Sequence, residues 1–314
     1  MYYPSAFFRL RARRALKGRW QTALLIALVV NLPTLLIQGI SAFTGNDLLE
    51  RLESVYITAT RDGTMTAALL QGELDKLLGS TVFWVIRGAE LAAWLITPFL
   101  SLGMYKWLID RLHGQDGPVG TVFCRAGLFF RAIGLQLLII LKVLLWMLPG
   151  IGLMTASILL LVSKVGTGVT QIPMGTFYTM NALTPVAIAA IAVPGIMAAL
   201  RYGLAEFICA DEPETKIREC VRKSIRLTKG YRKNLFLLML SFLLWYLAEL
   251  FAASLLAGMG GVVSLVFQMF CALALHVYTA CSVAAFYLLL EKGESPVPEQ
   301  TQSGEGTDGS ADRP

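Results

Sequence analysis

Six apolar runs, each roughly as long as a bilayer is thick, leave this sequence few ways to fold. They lie at residues 20–41, 84–105, 133–154, 185–206, 235–257 and 262–288. An α-helix rises 1.5 Å per residue, so about 20 apolar residues cross a hydrocarbon core about 30 Å thick. Of the 314 residues, 56% are hydrophobic and 15% charged, against about 25% charged in soluble domains. A soluble chain of that composition could not cover its own surface, so lipid must serve as part of its solvent. The expectation is an all-α polytopic membrane protein, a bundle of about six transmembrane helices with interfacial amphipathic helices.

The lysines and arginines give that bundle a direction, because cytoplasmic connections carry the excess of them. Six precede the first span (Arg9, Arg11, Arg13, Arg14, Lys17, Arg19). Connection 44–80 has three, outnumbered by six acids, and 155–184 has only Lys164. By contrast, 106–131 has four and 207–234 has eight, while the turn at 258–261 has none. The alternation holds throughout and places both termini in the cytoplasm. The first run extends from Trp20 to about Phe43, too long for a signal-peptide core, and reads as a retained helix. The domains are therefore a basic segment at 1–19, a membrane domain at 20–292 and a tail at 293–314. That tail is polar, rich in Gly, Pro and Ser, and expected to be disordered.

Two pieces outside the spans pattern as surface helices. In 4–19, Phe7, Phe8, Leu10 and Leu16 share a segment with the six cations. In 213–229, Ile217, Cys220, Val221, Ser224, Ile225 and Thr228 repeat at i, i+3, i+4, opposite Arg218, Arg222, Lys223, Arg226 and Lys229. Pro213 suits a first turn and Gly230 a stop, and Glu214/Arg218 and Glu219/Lys223 stand at i,i+4. Such helices lie on a membrane surface, where each cation near anionic lipid contributes about 1 kcal/mol. The five cations of 213–229 are the candidate contacts to anionic lipid or to a partner, although such charges also serve simply to set topology.

Chemistry is harder to find. Five scattered cysteines without a CxxC pair, and two histidines, give neither a disulfide framework nor a metal site. No P-loop, GxSxG or HExxH motif occurs, and no basic run suggests nucleic acid. We therefore expect no enzyme, no cofactor and no metal. Ionisable groups within spans are costly and become candidates on that ground. Lys142 interrupts 133–154, whereas 143–163 is free of charge, so the third span can slide outward and leave Lys142 at the edge with Trp146 one turn away. Arg87 and Glu90 stand at i,i+3. Glu249 and His276 lie on adjacent antiparallel spans, where a carboxylate beside an imidazole would suit a proton relay or fix helix packing. Gly195, Ala199 and Gly203 form a small-residue stripe that lets a helix approach closely.

From Pro194 onward the sequence becomes recognisable. Pro194, Gly195 and Ile196 lead to Tyr202, then to an Asp211-x-Pro213 turn, then to a basic helix ending in Lys229-Gly230. This order resembles the signature of a family of uncharacterised bacterial multi-pass integral membrane proteins, a domain of unknown function. Residues 98–116 and Trp146 before a Pro-Gly are similar to it too. The chain departs from the pattern in carrying a second Pro-Gly-Ile (149–151) about 40 residues earlier, with an insertion across 155–184. The resemblance implies a bacterial cytoplasmic membrane and supplies no catalytic residue. Such proteins are also faintly similar to membrane domains attached to glycerophosphodiester phosphodiesterases, which implies lipid or envelope business. The favoured expectation is a structural or accessory membrane protein with anionic lipid, a membrane-protein partner or a second copy as its contacts. A small-solute or ion transporter with a midplane polar site, and a lipid-modifying enzyme, are the alternatives.

Overall fold

The computed structural model describes residues 4–44, 75–76, 79–165, 174–257 and 261–292. Most of the acidic connection, some of the 155–184 insertion and the polar tail lie outside the described residues. Those residues contain no strand. Their helices are α1 (Ser5–Leu16), α2 (Trp20–Thr44), α3 (Thr81–Leu112), a 3-10 segment (Val119–Leu128), α4 (Phe129–Val165) and α5 (Met174–Tyr202). There follow α6 (Ala205–Asp211), α7 (Ile217–Thr228), α8 (Arg232–Ala257) and α9 (Gly261–Lys292). Six of them (α2, α3, α4, α5 with α6, α8 and α9) are long and apolar enough to cross a membrane. The all-α polytopic expectation is thus met.

Burial is uneven along the bundle. Residues 281–289 of α9 are all buried, so that stretch of the helix is enclosed on every side. Around it pack α1, α2, α3 and α8. The Phe8 ring of α1 stands edge-on to Phe286 at 5.2 Å, and Phe242 of α8 meets Tyr278 in the same way. Elsewhere the spans expose leucine, valine and tryptophan widely: Leu145 is 66% exposed and Leu244 71%. An apolar surface of that kind suits hydrocarbon.

Both basic segments are helices, but their apolar faces do not lie free. Phe8, Ala12 and Leu16 of α1 are fully buried by protein, and Arg111 Nε donates to the Ala15 carbonyl at 2.8 Å. On α7, Cys220, Val221, Ser224 and Thr228 are buried, with the Ser224 hydroxyl donating to the Arg201 carbonyl at 2.8 Å. These buried residues dock both helices on the bundle end. Helix α7 also starts later than Pro213 suggests. Residues 213–215 form a turn whose Pro213 and Thr215 carbonyls both accept from Arg131 of α4. Gly230 does end the helix, at φ 89°, in the left-handed conformation that glycine adopts without penalty.

Close helix approach occurs away from the expected stripe. A Cβ on Gly150 of α4 would stand 2.5 Å from the Ala190 backbone of α5. A Cβ on Gly103 of α3 would overlap the Val122 carbonyl of the 3-10 segment. By contrast, a Cβ on Gly195 would meet the Met147 side chain at an ordinary 3.6 Å, and Ala199 and Gly203 line an open apolar groove against α8. That groove, of about 460 Å³, includes Leu200, Leu235, Met239 and Val283.

Candidate functional site

The end of the bundle where α1, α6 and α7 dock gathers most of the described charge. Helix α6 follows α5 after a break at Gly203–Leu204 and turns Glu206, Asp211 and Glu212 toward α3, α7 and α9. Lys106 of α3 pairs with Asp110 at 2.7 Å and approaches Asp211 at 3.8 Å. The Tyr287 hydroxyl of α9 donates to Asp211 at 3.2 Å. The rings of Tyr105 and Phe207 lie 4.4 Å apart. Lys223 of α7 closes the network, bridging Glu212 at 2.6 Å and Glu291 at 2.7 Å. The arrangement ties α3, α6, α7 and α9 together with charge-assisted hydrogen bonds. Its chemistry is that of a clasp.

Lys223 therefore points away from the outer surface. Neither Glu219/Lys223 nor Glu214/Arg218 forms an ion pair among the described residues. Hydrogen bonding from Lys223 holds the Glu212 carboxyl below its ordinary pKa, against the effect of burial. Burial works against the Lys223 ammonium, but its bonds to Glu212 and Glu291 outweigh that and raise its pKa. The depressed carboxyl stabilises the fold fully above about pH 4.3 and loses that contribution as pH falls through its folded value. The raised ammonium contributes fully below about pH 10.4 and is lost as pH rises through its folded value. Lys223→Met is expected to destabilise the solubilised protein by about 1 kcal/mol across that window. This is below the 3–5 kcal/mol of a fully buried pair because Glu212 is 38% exposed. Melting curves across pH test it: equal wild-type and variant stability at pH 7 would remove the clasp's energetic role.

The remaining candidates of α7 form a different surface. Arg218, Arg222, Arg226 and Lys229 are exposed, on the face opposite the docked residues. Lys142 of α4 joins two of them: with Arg218 and Arg222 it lines a cleft of about 150 Å³ between α4 and α7. Its apolar walls are Leu138, Val221 and Ile225. No ion pair among the described residues uses any of those three cations. Trp146, one turn beyond Lys142, carries instead the Arg201 guanidinium of α5, 4.4 Å above its ring. Sequence pattern could not show that Lys142 belongs with Arg218 and Arg222, because they are more than 70 residues apart.

The other intramembrane candidates do not converge. Arg87 pairs with Glu90 at 2.8 Å and lies over the Phe83 ring. Glu249 and His276 share no hydrogen bond or ion pair, and the buried His276 Nε2 has no hydrogen-bond partner. Neither of them lines the apolar groove or the cleft between α4 and α7. No group of three or more metal-ligating side chains occurs among the described residues.

No curated protein and no solved structure matches the chain. The family described as "Protein of unknown function (DUF975)" matches residues 1–294, nearly the whole sequence. Six membrane-length helices and a match of that extent agree on one assignment: the chain belongs to this family of unknown function.

Proposed function

We propose that the protein is a non-enzymatic structural or accessory component of the bacterial cytoplasmic membrane that holds anionic lipid against the cytoplasmic end of its bundle. The observation that carries this reading is the outer face of α7. Four cations there are exposed, while the opposite face is docked on the bundle, so the charges are held in a fixed array. A cation near an anionic leaflet contributes about 1 kcal/mol. The same positive charge orients the chain with α1, α7 and both termini in the cytoplasm. A membrane-protein partner or a second copy would meet the lipid-facing spans rather than this charged end.

The test is lipid co-purification. The full chain, extracted into polymer-bounded nanodiscs, is expected to retain more anionic lipid than the bulk membrane, read by mass spectrometry. Arg226→Gln combined with Lys229→Gln should lower that enrichment severalfold, at about 1 kcal/mol for each cation removed. Equal enrichment in the double variant would refute the reading.

A further inference from the structure

We propose that the cleft between α4 and α7 is a phosphate site for an anionic phospholipid: Lys142, Arg218 and Arg222 hold the headgroup phosphate, and the acyl chains follow α4. The inference rests on the anionic-lipid reading and sharpens it from a charged surface to a saturable site.

Three features of the cleft converge. The first is uncompensated charge. Arg218 and Arg222 are one turn apart on α7 and face the same way, and Lys142 meets them from α4. Like charges so placed repel, and none of the three has a carboxylate partner among the described residues. A bound anion would relieve that repulsion. Two guanidinium forks and an ammonium suit phosphate oxygens in particular.

The second feature is depth. Helix α7 runs beside α4 from Gly134, where Ile217 approaches, to Lys142. Its exposed arginines require water or headgroups at that level, so the hydrocarbon begins beyond Lys142. Residues 143–165 of α4 are then about 34 Å of helix, enough to cross the hydrocarbon core. This selects the outward register of the third span and puts Lys142 in the phosphate layer.

The third feature is the surface leading out of the cleft. Leu141, Leu144, Leu145 and Leu148 are exposed at i, i+3, i+4 and i+7, a continuous apolar stripe beside Lys142 that runs toward the membrane interior. A free phosphate has no use for such a stripe, whereas acyl chains do. The cleft holds about 150 Å³, enough to seat a phosphate group between the three cations.

The experiment measures melting of the full chain in neutral detergent against increasing dioctanoyl phosphatidic acid, dioctanoyl phosphatidylcholine, glycerol 3-phosphate or inorganic phosphate. Saturable stabilisation by phosphatidic acid, weakened by salt, is expected, with little effect of the other three. Lys142→Gln with Arg218→Gln and Arg222→Gln should weaken the apparent affinity by about tenfold or more. Arg226→Gln with Lys229→Gln, neither of which lines the cleft, should weaken it far less than the cleft variant does. Lys142→Leu guards against misfolding, because it removes a repelled charge from an apolar helix: the lipid-free protein should melt no lower, while its response to phosphatidic acid shrinks. Equal response to phosphatidylcholine, to inorganic phosphate or in the Lys142→Leu variant overturns the site, as does salt-independent binding. If nanodisc enrichment persists while no saturable binding occurs, the site falls and the surface reading stands. Loss of both removes both.

Discussion

Replacing Phe8 by alanine is expected to cost the solubilised protein about 3–5 kcal/mol of stability. The ring is fully buried and makes edge contacts with Phe286 at 5.2 Å and Phe7 at 5.3 Å. Its surroundings are poorly placed to collapse around the gap. The α1 backbone is anchored at two points beyond it, by Tyr278 donating to the Arg9 carbonyl and by Arg111 donating to the Ala15 carbonyl. The variant has a second readout. Cys281 is buried with its Sγ 4.0 Å from the Ala12 carbonyl, so loosening α1 should expose it to maleimide. A helix merely resting in the lipid interface would predict the opposite: weaker membrane contact, unchanged melting and a thiol that stays protected. Those results together would remove α1 from the core.

The second large effect concerns where helices touch most closely. Gly103→Ala places a methyl against the Val122 carbonyl, and Gly150→Ala places one 2.5 Å from the Ala190 backbone. Backbone cannot swing aside as a side chain can, so each change must push neighbouring elements away from each other. Overpacking of this kind costs about 1–3 kcal/mol, and a clash with backbone belongs at or above the upper end. Gly195→Ala is the internal control. Its methyl would meet the flexible Met147 side chain at 3.6 Å, and alanine is favoured over glycine in a helix by about 1 kcal/mol. It should melt at or slightly above the wild type. Thermal unfolding of the three variants decides the matter, and a Gly195→Ala protein less stable than Gly150→Ala would return the close contact to the small-residue stripe.

The spans were legible in sequence because hydropathy over about 20 residues is a local property, and Lys142 already marked the uncertain register of the third. The fate of amphipathic stripes was not legible. A buried Val221 and a lipid-facing one have the same pattern, and only the folded partner surface distinguishes them. Lys223 illustrates the point: on a helical wheel it belongs with Arg222 and Arg226, yet Glu212 and Glu291 draw it inward. Arg131 was visible only as one more positive charge, although it secures the turn before α7 through two carbonyls. Glu249 and His276 stand on adjacent antiparallel spans, but adjacency of spans does not bring two side chains face to face.

Helix α9 bears on how the molecule is made. It touches α1, whose Arg9 carbonyl and Tyr278 partner are 269 positions apart, so ribosomes deliver the hub long after the pieces that surround it. The earlier helices must wait in the bilayer with their inward faces uncovered, a state that invites insertion chaperones and membrane proteases. Translation that halts before residue 273 would leave a ring without an axle, and clearance of that fragment should be far quicker than turnover of the finished protein.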